Sequence, residues 1–186
     1  FSKVECPIDF DKYRRLILLC GSRLPEAYES FKNLLIAIQL IQTSTSIAVF
    51  VPLNSSQMSQ KIELILVELG FKPADESMSE IGISSIWKKQ SLLILIGSNQ
   101  FSFWANWGEV GVANAGTATE QLVGLGIPCV SLPGKGPQFN FNFAKRQSRL
   151  LGGAVAIAKG YQALAKRVEF LLNSDFDRHA IGLRGS

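Results

Sequence analysis

The sequence predicts an α/β fold in which a doubly wound, mainly parallel, Rossmann-like sheet carries helices on both faces. Two observations lead to this expectation. Short apolar runs of strand length alternate along the chain with longer stretches whose apolar residues recur at the helical period. The apolar run at residues 15–20 also ends in a glycine, as is typical of a buried parallel strand that leads into a turn.

The elements follow one another in order along the chain. The run R-L-I-L-L-C at residues 15–20 ends at Gly21, and Pro25 then suits the first turn of a helix. We therefore expect strands at residues 15–20, 46–51, 83–87, 91–96, 110–113, 127–132 and 154–158, the third being weak and the last at an edge. Helices are expected at residues 25–41, 57–69, 101–107, after the glycine turn at residue 116, at 143–151 and at 161–172, with a surface loop at 75–80.

No repeat or linker divides the chain, so residues 1–186 are expected to form one domain. The chain opens on a polar lead of about a dozen residues and stops just after Gly182. We read these ends as those of a piece cut from a larger two-domain protein.

Composition excludes several classes of function. The three cysteines are widely spaced and His179 is the sole histidine, so neither a zinc site nor a Ser/His or Cys/His triad is expected, and Cys20 and Cys129 are read as small strand hydrophobes. The net charge of +4 is mild and forms no basic stripe, which argues against nucleic acid. No apolar run could span a bilayer and no signal peptide is evident, so we expect a cytoplasmic protein.

The segment N-A-G-T-A-T-E at residues 114–120 lies between two apolar runs, as a turn that opens a helix beyond the end of a strand. A helix N-terminus at that edge offers free N–H groups to an anion, and Glu120, one turn further on, could reach sugar hydroxyls. The alternative needs no ligand: Thr117 and Glu120 have the spacing of a capping box, which is worth about 1 kcal/mol.

Two further turns carry polar groups toward the same predicted edge. In G-S-R, residues 21–23, a glycine allows close approach of a ligand, and Ser22 and Arg23 add donors for a phosphate; the alternative is a plain helix start. In P-G-K-G-P-Q-F, residues 133–139, Lys135 and Gln138 are expected to be loop donors, or else residues of a simple turn. This is no Walker motif, and the chain contains no G-x-G-x-x-G.

Aromatic residues form two clusters. Phe103, Trp104 and Trp107 share a helical face, which favours core packing over a lip above a base or a contact with another domain. Phe139, Phe141 and Phe143 leave the same alternatives open.

Together, G-S-R after the first strand, N-A-G-T-A-T-E-Q-L-V-G-L-G-I-P, and P-G-K-G-P-Q-F with R-Q-S-R-L-L-G-G resemble the C-terminal, donor-binding half of GT-B glycosyltransferases, in particular the lipid-A-disaccharide synthase family. The resemblance covers the chain from about Arg15 to its end. Cys20, where those synthases commonly have proline, departs from the pattern and leaves the sugar and the acceptor open.

The resemblance implies a domain that binds a UDP-sugar as substrate, with no cofactor and no metal. Gly21, Ser22, Arg23, Gly116 and Thr117 would then contact the diphosphate, Glu120 the ribose, and Lys135 and Gln138 the sugar or a phosphate. Asn114 would also belong to the nucleotide-sugar site. A missing N-terminal domain would supply the lipid-linked acceptor site, the catalytic base and a peripheral contact with the inner face of the membrane. The alternatives are an enzyme like UDP-N-acetylglucosamine 2-epimerase and a non-catalytic nucleotide-sugar sensor.

Overall fold

A twisted sheet forms the centre of the computed structural model, which describes residues 6, 8–9, 11–74, 82–134 and 139–186. Within these residues, eight strands pair in the order β3-β4-β5-β2-β1-β6-β7-β8. The pairs β3–β4 and β4–β5 are antiparallel and all others are parallel. The strands are β1 (Tyr13–Leu19), β2 (Ser46–Leu53), β3 (Lys72–Pro73), β4 (Ser85–Lys89), β5 (Leu92–Ser98), β6 (Val110–Ala113), β7 (Cys129–Ser131) and β8 (Val155–Ile157).

Helices connect the parallel strands. They are α1 (Glu26–Ile38), α2 (Ser59–Glu68), α3 (Phe101–Trp104), α4 (Thr117–Gly124), α5 (Phe141–Leu150), α6 (Tyr161–Asn173) and α7 (Asp175–Leu183), with 3-10 turns at Ser56–Met58 and Ala105–Trp107. The predicted α/β class and each predicted strand are confirmed. Helix α5 begins two residues earlier than expected because Asn140 accepts a hydrogen bond from the N–H of Phe143 and caps it.

Two elements were not predicted. Strand β3 has only two residues, too few to show a period. Helix α7 folds back against the turn after α4, where a Cβ on Gly182 would overlap the carbonyl oxygen of Gly126. Arg178 of α7 forms an ion pair with Asp175 at 2.8 Å and lies 3.8 Å from Glu109. The predicted loop at residues 75–80 lies outside the described residues.

The sheet has an apolar layer on each face because alternate side chains of a strand point to opposite sides. Leu16 and Leu18 of β1 pack in the cluster that includes Phe31 of α1. Ile17 and Leu19 pack in the other cluster, with Trp104 and Trp107. Both layers are closed over by helices, which is the doubly wound arrangement that the sequence predicts.

The prediction that the first aromatic cluster packs in the core is confirmed for Trp104 and Trp107. The ring centroids of Trp104 and Trp107 lie 5.6 and 5.5 Å from that of Phe50, in edge-on and tilted contacts. Phe103 is half exposed. No helix among the described residues is both long enough and apolar enough to cross a membrane.

The two inner cysteines are core residues, as predicted. Cys20 follows β1 and Cys129 begins β7, and both are buried. Burial raises the pKa of each thiol to about 12. Neither side chain is a nucleophile at neutral pH, since the thiolate is the reactive form.

Candidate functional site

The direction in which the chain winds across the sheet reverses between β1 and β6. From β1 the sheet continues through β2 and β5 on one side, and from β6 through β7 and β8 on the other. The two strands end together, since Leu19 pairs with Ala113. In open α/β sheets, a crevice forms beyond the carboxyl ends of the strands at this switch point, and ligands bind there.

Three of the predicted turns meet at this edge. The turn at Gly21 follows β1, the turn at Asn114 follows β6, and the turn at Pro133 follows β7, which pairs in parallel with β6. The expectation that these turns lie side by side is confirmed. Lys135 and Gln138 lie outside the described residues.

Gly21 makes the closest approach between two of these turns. Its φ is +87°, in the region that favours glycine, and a Cβ there would lie 3.3 Å from the carbonyl oxygen of Asn114. Ser22 and Arg23 follow it and are exposed. A larger residue at position 21 would strain its own backbone and push against the neighbouring turn.

Asn114 ties the turns together. Its Nδ2 donates to Ser30 Oγ of α1 at 2.9 Å and to the carbonyl oxygen of Leu132 at 2.7 Å, and its Oδ1 accepts from the N–H of Leu132 at 2.9 Å. Its backbone N–H donates to the carbonyl of Leu19 at 2.8 Å. Both amide hydrogens are therefore used within the protein, and the side chain connects α1, the turn after β6 and the end of β7.

The predicted capping box is absent. The N-cap of α4 is Gly116, and no side chain caps this helix. Thr117 is the first helical residue of α4 and not its N-cap. A side chain caps a helix from the N-cap position, so the Thr117 hydroxyl is not placed to bond the free N–H groups of the first turn. Thr117 and Glu120 are both exposed at the crevice edge, and the Glu120 carboxylate takes no part in capping.

The first turn of α4 leaves backbone donors unused. The N–H groups of Thr119 and Glu120 bond to the carbonyl of Gly116, at 3.1 and 3.2 Å. Among the described residues, no acceptor bonds the N–H groups of Gly116, Thr117 or Ala118. These groups, with the positive end of the helix dipole, form a site suited to an anion.

Buried polar side chains surround this turn. Within the described residues, the side chains that are both polar and buried are those of Asn114, Thr119, Ser131 and Gln147. Ser131 Oγ donates to the carbonyl of Ala113 at 2.7 Å, and Thr119 Oγ1 to that of Ala115 at 2.8 Å. Gln147 Nε2 donates to the carbonyls of Ala115 and Gly116, at 3.1 and 3.2 Å.

From the sequence we expected no individual role for Thr119, Ser131 or Gln147. The sequence does contain a signal for such residues, which is a polar side chain at a position where the strand or helix period predicts an apolar one. Ser131 ends an apolar strand, and Gln147 lies three residues after the buried Ala144 on the inner face of α5. Such a residue needs a partner inside the protein, and here each finds it on the turn at residues 113–116.

Two aromatic rings lie beside the same turn. The rings of Phe139 and Phe143 pack 5.2 Å apart, and the Phe143 ring would lie 3.8 Å from a Cβ on Gly116. The N–H of Gly134 bonds to the carbonyl of Phe139 at 3.1 Å, which closes the loop after β7. In the described part of the chain, no group of three His, Cys, Asp or Glu side chains is arranged to hold a metal ion.

Comparison with solved structures identifies the architecture. A putative UDP-N-acetylglucosamine 2-epimerase from Listeria monocytogenes has a TM-score of 0.57 at 15% identity, with 91% of this chain and 39% of that one covered. The S. aureus MnaA–UDP co-structure gives 0.62 at 12%, covering 95% and 42%. WaaG, a glycosyltransferase involved in lipopolysaccharide biosynthesis, gives 0.51 at 11%, covering 94% and 42%.

The fold is a Rossmann-like α/β fold of the kind found in one half of GT-B proteins. At 11–15% identity the likeness shows the fold alone, and the chain spans about two-fifths of the length of these proteins. No family model matches the sequence, and no curated protein matches it. In this chain the switch-point crevice lies between the turns at Gly21 and Gly116.

Proposed function

We propose that this chain is the donor-binding domain of a glycosyltransferase and that it binds a UDP-sugar in the crevice between β1 and β6. The observation that carries the proposal is the row of unused N–H groups at Gly116, Thr117 and Ala118, located at the switch point of the sheet. Adjacent backbone donors at a helix N-terminus suit the phosphate groups of a nucleoside diphosphate. The similar structure that contains UDP supports this choice.

The proposed ligand lies along the edge of the sheet. The diphosphate accepts from the first turn of α4 and approaches the backbone at Gly21, with Ser22 and Arg23 beside it. Glu120, one turn into α4, accepts from the ribose hydroxyls, because its carboxylate is exposed and takes no part in capping the helix. Lys135 and Gln138, in the stretch outside the described residues, are proposed to contact the sugar or a phosphate.

The proposed chemistry is electrostatic. Backbone donors, the helix dipole and cations stabilise the charge that develops on UDP as the glycosidic bond to it breaks. As in the lipid-A-disaccharide synthase family that the sequence resembles, a second domain would supply the lipid-linked acceptor and the base. We therefore expect the isolated chain to bind nucleotide and to transfer no sugar.

An epimerase that acts on UDP-N-acetylglucosamine is the second candidate, because a putative enzyme of that kind has a similar fold. Such an enzyme would be expected to carry an acidic, arginine-bearing run like T-E-R-P-E after β7. The segment here, P-G-K-G-P-Q-F, contains no acid. A non-catalytic sensor would bind UDP equally well; assays of the natural full-length protein for transfer and for epimerisation separate the three.

Titration calorimetry with UDP and uridine tests the proposal. UDP is expected to bind at least roughly tenfold more tightly than uridine, since each charge-assisted hydrogen bond to a phosphate is worth roughly 1.5–3 kcal/mol. The phosphate increment should shrink at high salt. Absence of heat with UDP, for a chain whose circular dichroism and Tm show it folded, would contradict the proposal.

Gly21→Ala and Gly70→Ala form a matched pair of variants. Both glycines have a φ of +87°, so each alanine is expected to cost about 1 kcal/mol in backbone strain. A Cβ on Gly70 meets the flexible end of Lys89, far from the crevice, whereas one on Gly21 presses on the Asn114 carbonyl. UDP affinity should fall at least about fivefold for Gly21→Ala and stay unchanged for Gly70→Ala, while both lose similar stability. Equal UDP affinities in the two variants would place the ligand elsewhere.

A further inference from the structure

Gln147 makes an unusual set of contacts for a buried side chain. It is 3% exposed on the inner face of α5, and its Nε2 donates to two successive backbone carbonyls, those of Ala115 and Gly116. Its Oε1 is buried and has no hydrogen-bond partner. An amide oxygen in that state carries an uncompensated desolvation cost.

The two carbonyls determine where the anion donors point. A trans peptide unit is planar, so its C=O and N–H lie in opposite directions. The carbonyl of Ala115 shares a peptide unit with the N–H of Gly116, and the carbonyl of Gly116 shares one with the N–H of Thr117. Because Gln147 holds both carbonyls toward α5, both N–H groups are directed away from it, and these are two of the three unused donors of the turn.

We propose that Gln147 is a positioning residue of the diphosphate site: it holds the peptide units of Ala115 and Gly116 so that successive N–H groups converge on the phosphates. This inference rests on the proposed function. The proposed site thereby includes Gln147, which lies 32 positions after Ala115 in the sequence. Gln147 touches no ligand and acts through the backbone.

Stability alone does not account for this glutamine. The carbonyl of Ala115 also accepts from Thr119 Oγ1, and that of Gly116 from the N–H groups of Thr119 and Glu120. Removing the Gln147 amide therefore leaves neither carbonyl without a donor. It also removes the unpartnered Oε1, so an apolar side chain of similar length is expected to be tolerated.

Gln147→Met separates the positioning role from a structural one. Without the amide, each of the two peptide units loses one of the donors that fix its direction, and the UDP dissociation constant should rise roughly tenfold. The uridine dissociation constant should stay within about twofold, because no phosphate is involved. The Tm should be unchanged or higher, because both carbonyls keep a donor and the unpartnered Oε1 is removed.

Ser148→Ala is the matched control, since the adjacent residue on α5 donates from Oγ to the carbonyl of Val155 at 2.7 Å, away from the turn. It should leave the affinities for both UDP and uridine unchanged. If Gln147→Met does not fold, Thr119→Val replaces it, because Thr119 holds the carbonyl of Ala115, and the same selective loss of UDP affinity is expected.

Unchanged UDP affinity in Gln147→Met, or an equal loss for UDP and uridine, would overturn the inference while leaving the proposed function intact. Failure of the unmodified chain to bind UDP would instead overturn the proposed function itself.

Discussion

Replacing Asn114 by alanine is expected to lower the Tm by about 10 °C and to abolish measurable binding of UDP. The change removes three side-chain hydrogen bonds and leaves the N–H and C=O of Leu132 without their partner. Leaving groups such as these unpaired where they are partly buried costs roughly 1–3 kcal/mol each, so the free energy of unfolding should fall by about 3 kcal/mol. For a chain of this size that corresponds to about 6–12 °C. Thermal unfolding followed by circular dichroism gives the stability, and calorimetry gives the affinity.

The loss of binding has the same cause as the loss of stability. Asn114 joins the turn after β6 to α1 through Ser30 and to the end of β7 through Leu132, so its removal lets three loops of the crevice separate. Asn33→Ala is the control: Asn33 accepts one exposed hydrogen bond from Tyr161, and its loss should change stability by less than about 1 kcal/mol. A Tm for Asn114→Ala within about 2 °C of the unmodified protein would contradict this account.

Replacing Glu120 by alanine is expected to raise the dissociation constant of UDP at least roughly tenfold with little change in Tm. A hydrogen bond to a charged acceptor contributes roughly 1.5–3 kcal/mol, and the proposal gives this carboxylate the ribose hydroxyls. The structural cost is small because Glu120 is exposed and caps nothing. The stability that Glu120 does contribute comes from its interaction with the helix dipole, about 0.3–1 kcal/mol.

The affinity for uridine, the nucleoside without phosphates, distinguishes the role of Glu120 from that of Gln147. Because ribose is present in both ligands, Glu120→Ala should weaken uridine and UDP by similar factors, whereas Gln147→Met should weaken UDP alone. Asp11→Ala controls for the loss of an exposed negative charge, since Asp11 lies before β1 at the opposite edge of the sheet. If Glu120→Ala lowers the free energy of unfolding by as much as it weakens the free energy of UDP binding, the result would instead support a structural role for the carboxylate.

Several features of the fold follow from local patterns. The run R-L-I-L-L-C and the apolar runs after it have the length and composition of buried strands, and the structure contains a strand at each. Helix α7 has no such clear signal, because its position depends on the contact of Gly182 with Gly126 and on the ion pair of Arg178 with Glu109. Periodicity reports which residues are buried, and it carries no information about a helix that docks through a few specific contacts.

At the candidate site, the sequence by itself determined that glycine turns follow β1 and β6 and that Glu120 lies one turn into α4. Those features depend on neighbouring residues, whose propensities act locally. Only the tertiary structure decided that Gly116 rather than Thr117 is the N-cap, and that Asn114, Thr119, Ser131 and Gln147 all hold the turn at residues 113–116. A buried polar group takes whichever partner the packing of strands and helices brings within about 3 Å, and residues 18 and 32 positions apart meet here only because β6, β7 and α5 fold against one another.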